Sequence, residues 1–273
     1  MSNLSPDLHE HIDDRIEDLS GQMSLLEHLE EFRNRLVVAS LAVFLATLFS
    51  LIFAKQLVQL LSYPLQEIVV DAEGNVVEII PGIEKLESID VTENITIFMR
   101  VSLLGGMILA MPVIIYELIA FVVPGLTEGE KRVLLIAIPF ATLLFLTGVA
   151  FAYFVMLPRA VPFLLGFLDI PTAPRPKSYF AFVTRLIFWI GVSFELPLLM
   201  GVMARLGVLS PSFLIKNARY AVVIIAILAA LITPTPDPLN MGLVMSPLIL
   251  LYGLGILLAK LLYRPRESHP ETE

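Results

Sequence analysis

The chain has 273 residues, 57% of them apolar, a mean hydropathy of +0.83, 18 basic against 26 acidic side chains, and no cysteine. The lack of cysteine excludes disulfides and thiolate chemistry, and the net charge of −8 argues against nucleic acid as a partner. Length alone would allow one or two soluble domains, but hydropathy favours a single all-α membrane domain.

Residues 1–22 hold Asp7, Glu10, Asp13, Asp14, Glu17 and Asp18 against only Arg15. They lack apolar periodicity, so they read as a disordered acidic arm, dispensable for folding. They also lack a basic stretch followed by an apolar one, so they are not a signal peptide. Next comes LLEHLEEFRNRL at 25–36, where Leu25, Leu29, Phe32 and Leu36 share one face of an amphipathic helix. Glu27 and Glu31 lie on its polar strip, with Arg35 a turn further on. Two readings stay open: an i,i+4 pair of Glu31 with Arg35, which the local pattern favours, or an acidic site for a basic ligand.

Apolar stretches follow at 36–54, 101–123, 133–157, 186–204, 220–233 and 241–259. The first four are long enough for a hydrocarbon core of about 30 Å. The fifth is short and has to sit in thinned lipid, lean on neighbours, or extend back through 212–219 with Lys216 and Arg219 snorkelling. Pro112, Pro139, Pro197 and Pro247 fall inside spans and predict kinked helices in a curved bundle. Of the loops, 55–100 contains VV and VVEII around Ala72-Glu73-Gly74-Asn75, the pattern of a short hairpin. Residues 158–184 carry five prolines and predict a packed, non-helical extracytoplasmic cap.

Six spans put both termini on one side. That side holds Arg15, Arg33, Arg35, Lys131, Arg132, Arg205, Lys216, Arg219, Lys260, Arg264 and Arg266, the larger share of the basic residues. The positive-inside rule therefore makes the termini cytoplasmic. The division is 1–22 as arm, 23–263 as the six-span domain and 264–273 as a cytoplasmic tail.

Further polar residues stand out. In the loop at 124–132, Thr127 and Glu130 have capping-box spacing, so Glu130 either starts span three or offers its carboxylate to a ligand. Glu195 sits in the middle of the unbroken apolar run LIFWIGVSFELPLLMGVMA, where a carboxylate costs roughly 2.5–3.5 kcal/mol on insertion scales. It is functional by default, or else an interhelical hydrogen-bond donor with a raised pKa. Glu117, nearer the end of span two, is a weaker parallel, and the two are grouped with Met241 and Asp237 as intramembrane polar or partner-docking residues. Asp237, in the turn Thr233-Pro234-Thr235-Pro236-Asp237-Pro238, is most simply the cap of span six.

Signals of an enzyme are absent from the sequence: His9, His11, His28 and His269 lie outside the spans, no P-loop occurs, and Gly191–Glu195 is no nucleophile elbow. No cofactor or metal is expected. A secondary transporter using Glu195 and Glu117 as carboxylate sites is the alternative class, though no internal repeat supports it.

Six ordered blocks go further: HLEEFRNRL at 28–36, SYPL at 62–65, MPVIIYELIAFVVPGLTEGEKR at 111–132, AFAYFVMLP at 150–158, IGVSFELP at 190–197 and LITPTPD at 231–237. With them the chain resembles the TatC family of twin-arginine translocase subunits from about 24 to 263. The resemblance implies a glove-shaped six-span receptor with cytoplasmic termini and two short final spans, in the prokaryotic cytoplasmic membrane. It implies binding of twin-arginine signal peptides of folded proteins, TatA/TatB-type single-span partners, and export driven by the proton-motive force. On the matching positions it makes Glu31 and Glu130 the arginine-recognising carboxylates. It puts Arg33 beside them, makes Phe121 an apolar contact for the peptide, and turns Glu195 toward the concave face. Two departures concern partner docking: Met241 stands where many members have Gln, and Gly253 where a Glu is common.

Overall fold

The computed structural model describes residues 6–65, 67–70, 76–80, 86, 88, 90–122, 128–165, 175–233 and 238–263; for 6–28, 67–70, 76–80, 122, 128–134 and 239–240 it describes the backbone only. Helix α1 runs from Pro6 to Ile52, and α2 from Ala54 to Ser62 after a bend at Phe53. A single 3-10 turn, Tyr63–Leu65, leads to a two-stranded antiparallel hairpin, β1 (Glu67–Val70) with β2 (Val76–Ile80), bulged between Val69 and Val70. The hairpin is the one that VV and VVEII on either side of residues 72–75 predict.

The backbone of the acidic segment departs from expectation, since it is helical from Pro6 onward and continuous with span one. Proline at the first helical position is pre-organised for a helix, and Asp7 and Glu10 sit where the helix dipole favours negative charge.

Helix α3 spans Glu93–Val122 and α4 spans Glu128–Phe151. A π-turn at Ala152–Met156 then leads into α5, Leu157–Leu165. Pro158 has no N–H for the carbonyl four residues back, and the helical ladder widens just before it. Helix α6 runs Pro176–Ser193 and α7 Leu196–Arg205, so the apolar run of span four is broken at Phe194–Glu195. Pro197 accounts for the break, because it cannot donate to the carbonyl of Ser193. Three more helices follow among the described residues: α8 (Pro211–Lys216), α9 (Ala218–Ile232) and α10 (Pro238–Leu262).

The proline-rich 158–184 segment is therefore not a non-helical cap in its described parts. Pro158 and Pro162 lie within α5 and Pro176 opens α6. Pro176 in the first turn of α6 costs no hydrogen bond, because those amides have no intrahelical partner anyway, whereas Pro158 and Pro162 lie within a continuing helix.

Among the described residues, five helical segments are long and apolar enough to cross a membrane: Leu29–Ile52, Glu93–Phe121, Leu135–Leu165, Pro176–Arg205 and Met241–Leu262. The sixth, α9, has 15 residues, about 22 Å at 1.5 Å per residue, and Asn217 separates it from α8. The expected short fifth span is thus short because it does not fuse with the segment before it. Its last turn is met from the side, since Arg185 on α6 donates to the carbonyl of Leu231 at 3.2 Å.

Burial ranks the spans. In the most apolar stretch of Pro176–Arg205, 44% of residues are buried, against 6% for Leu29–Ile52. Helix α6 is the central post: Phe180, Val183, Leu186, Ile187 and Ile190 pack with Val101 and Leu104 of α3, Leu157 of α5, Ile232 of α9 and Val244 and Leu248 of α10. Helix α1 is peripheral and packs on α3. Lipid is as apolar as a leucine side chain, so such a contact rests on close packing, not on the hydrophobic effect. Gly105 and Gly106 supply it. A Cβ on Gly106 would lie 2.6 Å from the Thr47 backbone, and one on Gly105 would collide with the Ser50 hydroxyl. At the other end of α2, the tyrosine hydroxyls of Tyr153 and Tyr179 donate to the carbonyls of Leu60 and Leu61 at 2.9 and 2.7 Å, satisfying groups a helix end leaves open.

Candidate functional site

The glycine seam fixes the register of α1 against α3. Thr47 lies at Gly106 and Ser50 at Gly105, so the two helices run antiparallel. About 18 Å back along α1 and about 16 Å on along α3, the same register sets Arg35 opposite Glu117. Arg35 Nη1 donates to Glu117 Oε2 at 3.1 Å. Its Nε and Nη2 both donate to Glu31 Oε1, at 3.0 and 2.6 Å. The i,i+4 pair expected from the sequence therefore forms, and gains a third member from span two. Glu117 was legible only as a lone carboxylate near a span end. Its partner follows from an interhelical register that a single sequence does not display.

Around this triad lies a cleft of about 460 Å³ lined by Glu30, Glu31, Asn34, Arg35, Val38 and Glu117. Its walls carry three carboxylates and one guanidinium, a surface complementary to cations. Arg33 Nη2 pairs with Glu30 at 3.0 Å, and both side chains are about two-thirds exposed. Glu117 is the most enclosed member of the cluster, at 13% exposure, against 26% for Arg35 and 30% for Glu31. One face over, the rings of Phe32 and Phe121 meet edge-on at 5.3 Å between centroids. Leu29, Phe32 and Leu36 remain exposed beside them. The cleft is thus bordered by an aromatic and aliphatic ledge.

The structure brings together Glu31, Glu117 and Arg35, with Arg33 and the Phe121 ledge adjacent. Glu130 lies in the first turn of α4, with only its backbone described; Thr127, its expected capping partner, is outside the described residues, as is Asp237. Glu195 occupies the turn between α6 and α7, and its Oε1 is buried with no hydrogen-bond partner among the described residues. Met241 is half-buried in the first part of α10. A Cβ on Gly253 would meet nothing within 4 Å, so a larger side chain there would enter open space. Among the described residues no group of His, Asp and Glu is arranged to hold a metal ion.

Apolar spans around a central helix, a broken span holding a carboxylate, and an acidic cleft at one end of the α1–α3 pair define a polytopic helical membrane protein. The family model for the Sec-independent protein translocase protein (TatC) matches residues 27–247, and the chain belongs to that family. It is 35% identical over 251 residues to TatCy of Bacillus subtilis, covering 91% of this chain and 93% of the relative. It is 34% identical over 250 residues to TatC of Aquifex aeolicus, covering 90% and 98%. A crystal structure of the twin-arginine translocase receptor TatC superposes with TM-score 0.73 at 33% identity, covering 87% of this chain and all of that one. The chain is accordingly a membrane component of the Tat protein translocase that acts with other Tat components, and it is not an enzyme. Membership in that family displaces the small-solute transporter alternative.

Proposed function

We propose that the chain is the receptor subunit of this translocase, binding twin-arginine signal peptides of folded cargo at the α1–α3 cleft. Glu31 and Glu130 take the paired arginines, Arg33 tunes the charge beside them, and Phe121 contacts the peptide's apolar stretch. The observation that carries this reading is that Glu31 already holds a guanidinium, at 2.6 Å, in an acidic cleft open to solvent. Carboxylates and guanidinium make charge-assisted bonds, stronger and more directional than those of an ammonium. Glu195, Met241 and Asp237 are assigned to docking TatA/TatB-type helices, while Glu117, expected among them, is engaged by Arg35 instead, and transport is driven by the proton-motive force. Both termini and the cleft face the cytoplasm of a prokaryotic cell, following the bias of Lys and Arg.

The test is the affinity of a twin-arginine peptide for the purified chain in nanodiscs at fixed salt. Each charge-assisted bond contributes about 1.5–3 kcal/mol, so Glu31→Gln and Glu130→Gln should each weaken binding on the order of tenfold or more. A Lys–Lys peptide should bind more weakly to the native chain and be discriminated less by the double variant. Undiminished affinity and preference in the double variant would overturn the assignment. Topology is checked separately, since cysteines placed at Gly129 and His269 of this cysteine-free chain should label from the cytoplasm and one at Gly74 from outside.

A further inference from the structure

We propose that Arg35 is a resident stand-in for the ligand's arginine at Glu31, and that Glu117 is the acceptor that retains Arg35 when the peptide displaces it. The inference rests on the reading of Glu31 given above and assigns two residues that reading leaves without a role.

The geometry is that of a side chain shared between two sites. One edge of the Arg35 guanidinium, Nε with Nη2, is spent on a single oxygen of Glu31, while Nη1 reaches across to Glu117. Glu31 is on the same helix as Arg35, whereas Glu117 is on α3. A guanidinium already bonded to both can give up the first without leaving the second. The exposures set the direction of exchange. Glu117, the more enclosed carboxylate, is the costlier one to leave unpaired, and Glu31 is the one a ligand reaches more readily. The surrounding cleft has room for a second guanidinium beside the first.

Occupancy by Arg35 also bears on selectivity. A ligand's affinity falls by the fraction of sites its competitor occupies. An incoming arginine meets Glu31 with the planar fork that Arg35 uses, and so replaces like with like. An incoming lysine offers a point charge and no fork, and displaces the resident arginine poorly. Glu117 thereby positions Arg35 and raises peptide affinity without touching the peptide. Without Glu117, Arg35 has Glu31 as its remaining partner in the triad and competes harder.

The experiment is a double-variant cycle on the full chain in nanodiscs, with twin-arginine and Lys–Lys peptides as probes at fixed salt. Glu117→Gln is expected to weaken twin-arginine binding several-fold. Arg35→Gln is expected to bind at least as tightly as the native chain, with a smaller preference for Arg–Arg over Lys–Lys. In the Arg35→Gln background, Glu117→Gln should have no further effect. A Glu117→Gln loss that persists in that background makes Glu117 a direct or merely structural contact and overturns the proposal, as does unchanged affinity on Glu117→Gln alone. Should Arg35→Gln not fold, Arg35→Lys keeps a cation between the helices while removing the fork, and an undiminished Glu117→Gln penalty there overturns the proposal equally. Glu31→Gln separates the two levels: if it leaves peptide affinity intact, the site assignment itself falls, whereas if it weakens binding while the cycle fails, only the stand-in role does.

Discussion

Glu93 Oε1 accepts the backbone N–H of Lys177 at 2.6 Å, so the start of α3 caps the start of α6, the central helix of the bundle. The first amides of a helix have no partner of their own, and a carboxylate there also complements the helix dipole. Glu93 is 5% exposed, and its other oxygen accepts from the Ser88 hydroxyl at 3.3 Å. Glu93→Ala should destabilise the protein by about 0.5–2 kcal/mol, as loss of a helix cap does. Glu93→Gln, which keeps an acceptor oxygen, should lose less. Thermal unfolding in detergent reads both, and peptide affinity should not change, since the α1–α3 cleft lies at the opposite end of α3.

A second cap sits three residues earlier. Asp90 accepts from the Thr92 N–H at 2.9 Å and from its hydroxyl at 3.0 Å, and the Thr92 amide, foremost, holds the carboxyl below the usual aspartate range. A carboxyl whose folded pKa lies below its unfolded one stabilises fully above the unfolded value and loses that contribution as pH falls through the folded one. Protection of the Thr92 and Glu93 amides against exchange, taken relative to their intrinsic rates, should therefore fall below the usual aspartate range. Asp90→Asn, which cannot titrate there, should abolish that pH dependence.

Two glycines should respond oppositely to the same substitution. Gly106→Ala drives a Cβ into the Thr47 backbone and should cost about 1–3 kcal/mol by overpacking. Gly253→Ala enters open space within α10 and should stabilise by about 0.4–1 kcal/mol. Melting temperatures in one detergent compare them directly. Equal responses would mean that the α1–α3 seam is looser than its geometry.

Glu195 offers a buried oxygen with no described partner at the break between α6 and α7. Losing an oxygen that accepts no hydrogen bond forfeits little stability. Glu195→Gln and Glu195→Leu should thus unfold near the native temperature while export of a twin-arginine cargo falls. Normal export by both would leave the carboxylate a structural residue.

Hydropathy located the spans because lipid contact and apolar sequence are the same property. It placed several helix starts too late, because 93–100 and 176–185 continue helices through polar sequence that leaves the membrane. Proline in 158–184 was misread for a related reason: Pro176 opens a helix, a role that composition alone does not separate from loop formation. At the site, Glu31 with Arg35 was legible because four residues make one turn. Glu117 with Arg35 was not, because their meeting depends on Gly105 and Gly106 setting two helices in register.

The thin burial of α1 has a consequence for biosynthesis. Its extensive packing partner among the described residues, α3, is synthesised later: Gly106 follows Ile52 by roughly half a hundred residues, several seconds of translation at about 5–20 residues per second. For that interval Thr47 and Ser50 face lipid or the insertion machinery without the glycines that later cover them. Thr47 meets the interval with its hydroxyl bonded to the Val43 carbonyl on its own helix, at 2.7 Å. Ser50 has no such bond among the described residues. Ser50→Ala should therefore ease the lone insertion of α1, leaving the seam with α3 as the step that completes the N-terminal half of the protein.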